Sequence, residues 1–145
     1  MIAGSVAKEF SKRVWLSWTT RGNKLNRLPS TELLEDALLK GNSLNIQCQL
    51  VNCVHADTAS LAIDKFKDIN NFGIYANSSV YKKNELEGFV SDADEWHYHN
   101  HKPINHFEYK NFVQDWIDKG AYVIGGCCRT TTKHIEEIKK LVDKI

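Results

Sequence analysis

Several features that would assign this chain to a class of protein at once are missing from its sequence. Lysine plus arginine (19) almost balances aspartate plus glutamate (18) over 145 residues, so no net field would draw the chain to nucleic acid or to an anionic membrane. No apolar run approaches the roughly 18 residues that a membrane-spanning helix needs, and the N-terminus reaches charge by Lys8. We therefore expect a soluble, cytoplasmic protein that binds neither nucleic acid nor a membrane.

The sequence also lacks low-complexity segments, linkers and any internal repeat beyond an alternation of short apolar runs with helical patterns. Its composition, 42% hydrophobic and 26% charged, is that of one globular domain with its own core. Four runs have the character of buried β-strands, and each precedes a helix-like or loop segment: Val14 to Ser17, Leu44 to Val51, Phe72 to Tyr75 and Ala121 to Ile124. This alternation predicts βαβ units and a parallel sheet.

Helical spacing of apolar residues follows the strand-like runs. The predicted helices centre on Leu33 to Leu38, on a segment from Asp57 or Thr58 to Phe66, on Phe107 to Lys119, and on Ile135 to Val142. Four β/α units are half of an eight-unit α/β barrel, for which about 250 residues is typical. Ala3 to Phe10 has the pattern of the end of a preceding helix, which suggests a start in mid-fold.

Three of the four cysteines stand at the ends of predicted strands. Cys53 follows the second run, and Cys127 and Cys128 follow Gly125-Gly126 after the fourth. Because the carboxyl ends of parallel strands meet on one face, these thiols are expected to converge, with the two glycines letting the backbone turn sharply. Three thiolates suit Zn²⁺ and leave a fourth tetrahedral position for a substrate, which is the arrangement of a catalytic zinc site.

Two other interpretations of the cysteines remain open at this point. The three could be unrelated buried thiols, which is a common fate for free cysteine. The chain could also be a thiol redox protein, although it has no C-x-x-C motif. Cys48 differs from the others because it lies inside the second strand beside Ile46 and Leu50, and we interpret it as core packing.

The motifs resemble those of the homocysteine S-methyltransferases. The stretch 125–131, Gly-Gly-Cys-Cys-Arg-Thr-Thr, is similar to the final zinc motif of that family, and Val51-Asn52-Cys53 is similar to its first. Two supporting stretches are 74–78, which resembles the end of the seventh strand, and 14–18, which resembles the fifth. The resemblance implies the C-terminal half of a (β/α)₈ TIM barrel, with residues 1–145 forming part of a homocysteine-binding domain.

The resemblance also implies an activity. A zinc ion held by Cys53, Cys127 and Cys128 would bind homocysteine as its thiolate, and a methyl group would pass to it from S-methylmethionine or S-adenosylmethionine to give methionine. No catalytic residue is expected beyond the metal ligands. Ala76 and Thr132 stand where the family usually has proline. The first four β/α units, which in the family grip homocysteine, have no counterpart in these residues.

Other residues near the predicted face have two interpretations each. Asn77 would contact substrate or fix a loop, and Arg129 would neutralise thiolate charge or pair with a surface carboxylate. The histidine-rich run 96–101, with His106 nearby, would be a second metal site or a polar loop over the barrel mouth. By resemblance to the family, Trp96 in that run would line the pocket of the methyl donor.

Three functional hypotheses therefore follow from the sequence. The first is a methyltransferase whose missing strands come from a longer parent chain or from a complementing N-terminal half. The second is a zinc-binding half-barrel without catalysis, which pairs with itself to cover two edge strands. The third is the thiol redox protein, against which the absent C-x-x-C motif argues.

Overall fold

The computed structural model describes residues 2–11, 13–20, 27–81 and 101–145. The main sheet there has four strands, hydrogen-bonded in the order first, second, third and sixth: β1 (Trp15–Trp18), β2 (Cys48–His55), β3 (Phe72–Asn77) and β6 (Val123–Gly126). A two-stranded antiparallel ribbon joins β4 (Ser79–Tyr81) to β5 (His101–Pro103). The helices are α1 (Ile2–Phe10), α2 (Leu34–Ser43), α3 (Ala56–Ala62), α4 (His106–Asp118) and α5 (Thr132–Val142), and a 3₁₀ helix, Ile63–Phe66, continues α3.

All three strand pairings of the main sheet are parallel, so the carboxyl ends of its strands lie at one edge. This confirms the α/β class and the four-strand portion of a barrel. β1 and β6 occupy the two outer positions of the described sheet, as expected for an open half-barrel. Any chemistry at the carboxyl edge is therefore assembled from the residues at the ends of these four strands.

Alternate residues of the strands divide the sheet into two faces. Val51, Ile74 and Ala76 are buried in one hydrophobic core with Tyr109 and Trp116 of α4, so this face is covered by helices. The opposite face, which in a closed barrel is the interior, carries residues out of phase with these. The helices thus hold the sheet from one side and leave the other side facing the barrel axis.

Local signals account for the helix ends in two cases. Asn105 caps α4, since its side-chain oxygen accepts from the backbone N–H groups of Phe107 and Glu108 while the Glu108 carboxylate accepts from Asn105. The chain leaves α4 at Gly120, whose φ of 89° favours glycine. The expectation that Asp57 or Thr58 caps α3 is wrong, because the helix begins at Ala56.

The strand ends differ from the prediction in ways that matter for the site. Leu44 and Asn45 lie in a turn after α2, where Asn45 has φ 52°, so β2 begins only at Cys48. It then continues to His55 and contains Cys53, which was expected to follow the strand. The ribbon of β4 and β5 was not predicted, and β5 begins at the end of the run 96–101, for which a polar loop was one of the two interpretations.

The described helices include none with the length and hydropathy needed to span a membrane.

Candidate metal centre

Three thiols meet at the carboxyl edge of the sheet. The Sγ atoms of Cys53, Cys127 and Cys128 all lie within 4.8 Å of one another, and all three residues are half-buried. The Sγ atoms of Cys53 and Cys128 are 3.6 Å apart. Cys48 lies outside this cluster and is 1% exposed, and burial raises the pKa of its thiol to about 11. That is the environment of an inert core cysteine.

Cys53 reaches the cluster through an irregularity in β2. Its φ is 53°, in the left-handed region that a residue with a Cβ rarely adopts, and the register with β3 shifts between Asn52 and His55. A bulge of this kind re-aims a side chain within a strand. Asn52 anchors the segment to β1, because its side-chain oxygen accepts from the hydroxyl groups of Ser17 at 2.8 Å and Thr19 at 3.2 Å.

Cys127 and Cys128 lie in a tight turn that follows β6. The backbone N–H of Thr130 donates to the carbonyl of Cys127 at 3.2 Å, and the Thr130 hydroxyl donates to the same carbonyl at 2.7 Å. The left-handed residue of this turn is Arg129, with φ 65°, whereas neither glycine before the cysteines has positive φ. The sequence prediction assigned the sharp turn to the wrong residues.

Gly126 is needed for a different reason. A Cβ at this position would lie 2.6 Å from the side-chain oxygen of Thr130, which is closer than real Cβ contacts allow. The absence of a side chain therefore lets Thr130 fold back over the strand end and close the turn. Closure of the turn brings two successive thiols to the same edge of the sheet.

The end of β3 holds this turn directly. The side-chain oxygen of Asn77 accepts from the backbone N–H of Cys128 at 3.0 Å, and the backbone N–H of Ser78 donates to the Cys128 carbonyl at 3.0 Å. The hydroxyl of Ser78, which is 2% exposed, donates to the carbonyl of Arg129 at 3.0 Å. The bond from Cys128 to Asn77 supports the alternative in which Asn77 fixes a loop. A contact between Asn77 and a substrate stays a prediction.

Two further side chains beneath the site were not predicted. The buried hydroxyl of Tyr109 lies 3.0 Å from the carbonyl oxygens of both Ala76 and Gly125, so it donates across the ends of β3 and β6. His134, in the first turn of α5, accepts from the backbone N–H of Thr131 through Nδ1 at 3.1 Å, and burial lowers its pKa. Ser78 and Thr130 lie within the motifs 74–78 and 125–131, whereas nothing local singles out Tyr109.

The remaining candidate residues are only partly described. Trp96, His97 and His99 lie outside the described residues, and with them the predicted donor pocket and the alternative of a second metal site. His106 stands at the start of α4, with its ring centroid 6.1 Å from that of His134. Arg129 is exposed. Both interpretations of Arg129, neutralisation of thiolate charge and pairing with a surface carboxylate, stay predictions.

The donor set fits a tetrahedral thiophilic metal. With Zn–S bonds of about 2.3 Å, tetrahedral angles put two sulfur ligands about 3.8 Å apart, close to the observed 3.6 Å between Cys53 and Cys128. Burial, reinforced by the neighbouring Cys127 and Cys128 thiols, raises the pKa of Cys53 to about 12.

Comparison with known proteins assigns nearly the whole chain to one family. The family model described as "Homocysteine S-methyltransferase" matches residues 1–142. The chain is similar to homocysteine S-methyltransferase 1 of Saccharomyces cerevisiae, with 32% identity over 72% of this chain and 31% of the relative. It is also similar to homocysteine S-methyltransferase 1 of Arabidopsis thaliana, with 31% identity over 87% of this chain and 36% of the relative.

A solved structure shares the fold. The crystal structure of the homocysteine methyltransferase MmuM from Escherichia coli, in its oxidized form, matches 96% of this chain and 40% of that chain. The TM-score is 0.65 and the sequence identity is 22%, so this match shows a shared fold and nothing more. The chain thus spans about a third of the length of the curated relatives named above.

Proposed function

The chain belongs to the homocysteine S-methyltransferase family, and on that premise we propose that Cys53, Cys127 and Cys128 bind one Zn²⁺ for transfer of a methyl group to homocysteine. The methyl donor would be S-methylmethionine or S-adenosylmethionine, and the product methionine. The observation that carries the proposal is the convergence of three sulfur atoms within 4.8 Å at the carboxyl edge of the sheet. Residues 1–145 would then form the second half of a homocysteine-binding barrel domain.

The reaction is balanced without an acid catalyst. The homocysteine sulfur, having lost its proton, attacks the methyl carbon of the sulfonium donor, a new C–S bond forms, and the old C–S electron pair stays on the departing thioether. Zn²⁺ held by three thiolates would lower the pKa of a thiol in its fourth position and so supply the nucleophile at neutral pH. The chain's own contribution is to hold three sulfur ligands on rigid strand ends.

The protein residues also set which side of the centre stays open. Cys53 comes from β2, the two other ligands come from the turn after β6, and Tyr109 and His134 fill the space beneath with buried rings. The helix-covered side is therefore closed to substrate. Homocysteine and the donor would approach from the carboxyl edge, as in other barrels.

A second candidate function has support in the open sheet. β1 and β6 are the outer strands of the described sheet, and the chain spans about a third of its curated relatives. A zinc-binding half-barrel without catalysis would have the same cysteine cluster. The complementing partner, in this case, would be an N-terminal half or a second copy of the chain.

An activity assay separates the two candidates. Alignment of thiolate, methyl group and leaving sulfur can contribute roughly 7 to 11 kcal/mol, and we expect much of it to come from strands that these 145 residues lack. The chain alone should therefore form methionine far more slowly than after addition of a family N-terminal half, with Cys128→Ser as the inactive control. No activity after complementation would favour the zinc-binding half-barrel, and full activity of the chain alone would contradict the need for a second half.

A further inference from the structure

The turn that carries Cys128 has to cross the end of β3. β2 and β6 lie on opposite sides of β3, so their backbones are roughly 9 to 10 Å apart at normal strand spacing. Even so, the Sγ atoms of Cys53 and Cys128 are 3.6 Å apart. The segment after β6 must therefore cross the end of β3 towards β2. The residues at the end of β3 are in a position to set how far this segment extends towards β2.

Asn77 and Ser78 stand at that point. The side-chain oxygen of Asn77 accepts from the backbone N–H of Cys128. Ser78 donates to the Cys128 carbonyl through its backbone N–H and to the Arg129 carbonyl through its hydroxyl. Cys127 needs no such support, because its N–H continues the β-ladder by donating to the carbonyl of Ala76 at 2.9 Å. The peptide groups on both sides of Cys128 are fixed by β3, although the residue belongs to no regular element.

We propose that Asn77 and Ser78 are positioning residues that aim the Cys128 thiol at the point shared by Cys53 and Cys127. The proposal rests on the metal-binding function proposed above. A hydrogen bond at each peptide plane of Cys128 limits rotation about its φ and ψ, and the direction of its Cα–Cβ bond follows from these two angles. Two contacts of this set come from side chains and can be removed without changing the backbone, the oxygen of Asn77 and the hydroxyl of Ser78. Of these two, the Asn77 oxygen is the one that bonds Cys128 itself.

The neighbouring backbone makes this support necessary. Arg129 holds a left-handed conformation that costs a non-glycine residue of the order of 1 kcal/mol or more, and such conformations persist only where surrounding contacts enforce them. Loss of the Asn77 contact would release the turn towards an unstrained conformation. The Cys128 thiol would then move away from Cys53 while the ladder kept Cys127 in place.

The test uses Co²⁺ as the probe, because its absorption reports both sulfur ligation and coordination geometry. Titration of the metal-free chain with Co²⁺ against a competing chelator gives the affinity, and the sulfur-to-cobalt and ligand-field bands give the geometry. Asn77→Ala should bind Co²⁺ about 10- to 100-fold more weakly, as is usual when a residue that orients a metal ligand is removed. Its ligand-field bands should also change in intensity.

Two variants distinguish positioning from general destabilisation. Asn77→Asp keeps an acceptor oxygen and should restore most of the affinity. Asn71→Ala, at the other end of the same strand, removes an exposed amide that donates to the Gln47 carbonyl and should leave affinity and spectrum unchanged. If Asn77→Ala does not fold, Asn77→Gln carries the test, because it keeps the amide but displaces its oxygen and should also weaken binding.

The outcomes separate this inference from the proposed function. Wild-type affinity and spectrum in Asn77→Ala, or in Asn77→Gln if that variant is the one tested, would overturn the positioning role, while loss of binding in Cys128→Ser would leave the metal centre standing. Failure of the wild-type chain to bind Co²⁺ through sulfur would overturn both. Weakened binding in Asn77→Ala with recovery in Asn77→Asp is the result that supports the proposal.

Discussion

The hydroxyl of Tyr109 joins the two strands whose ends carry the site, since it lies 3.0 Å from the carbonyl oxygens of both Ala76 in β3 and Gly125 in β6. It reaches them from α4, on the helix-covered side of the sheet. Burial raises the pKa of this phenol well above its ordinary value, so the hydroxyl stays a donor throughout the neutral range. A single buried side chain thus ties the helix layer to the strand ends that support the cysteines.

Replacement of Tyr109 by phenylalanine should therefore destabilise the fold. The substitution keeps the ring and removes the donor, so the carbonyls of Ala76 and Gly125 lose this hydroxyl, although the Ala76 carbonyl keeps the N–H of Cys127. We expect a loss of about 0.5 to 1.5 kcal/mol in the free energy of unfolding. Urea denaturation followed by circular dichroism measures it. Tyr122→Phe is the matched control, because Tyr122 is 73% exposed. Equal stability of the two variants would contradict a structural role for the Tyr109 hydroxyl.

The ion pairs of Glu137, with Lys110 of α4 and with Lys140 of its own helix α5, should make stability depend on pH. Hydrogen bonds from Lys110, at 2.7 Å, and from Lys140 lower the pKa of Glu137 from 4.5 to about 2. A depressed carboxyl pKa stabilises the folded state above the unfolded pKa, and this contribution is lost as pH falls from about 4.5 towards 2. It should also weaken with added salt, since Lys140 is largely exposed.

Comparison of wild type with Glu137→Gln tests this coupling. The variant should be less stable than wild type at pH 7, and the difference should shrink as the pH approaches 3. Glu136→Gln, at an exposed position on the same helix, should show no such convergence. Parallel pH profiles for wild type and Glu137→Gln would mean that the two lysines do not stabilise the carboxylate in solution.

The outer strands should drive association of the purified 145-residue chain. β1 and β6 end the described sheet, and an uncovered strand edge pairs readily with another chain. Light scattering should give a mass above that of the monomer. Trp15→Lys, on β1, should reduce association, whereas Phe107→Lys, at an exposed position on α4, should not. A compact monomer that unfolds cooperatively would contradict this prediction and would show that the strand edges are covered within one chain.

The sequence predicted the architecture because the information was local and periodic. Leu34, Ala37 and Leu38 lie at helical spacing and form the buried side of α2. The fourth predicted strand, 121–124, overlaps β6, although β6 begins at Val123 and includes Gly125 and Gly126. The clustering of Cys53 with Cys127 and Cys128 followed from one topological rule, since parallel strands present their carboxyl ends together. The structure brings these three side chains together as expected.

Features that depend on contacts between distant segments could not be predicted. The short strands β4 and β5 have three residues each, which is too few to give a periodic pattern. Cys53 has a left-handed φ at a register shift of β2, and Arg129 has one in the turn after β6, and no neighbouring residue signals either of them. Asn77 was ambiguous for a similar reason, because an amide suits a substrate or a backbone partner equally well, and its hydrogen bond to Cys128 depends on how distant segments meet in the fold.

The zinc content of four single cysteine variants of the purified chain tests the proposed metal centre most directly. Wild type and Cys48→Ser should bind about one zinc per chain, because Cys48 is buried in the sheet away from the cluster. Cys53→Ser, Cys127→Ser and Cys128→Ser should each lose it, since each removes one of the three sulfur ligands. Stoichiometric zinc in Cys127→Ser, or loss of zinc confined to Cys48→Ser, would contradict the assignment of the metal centre.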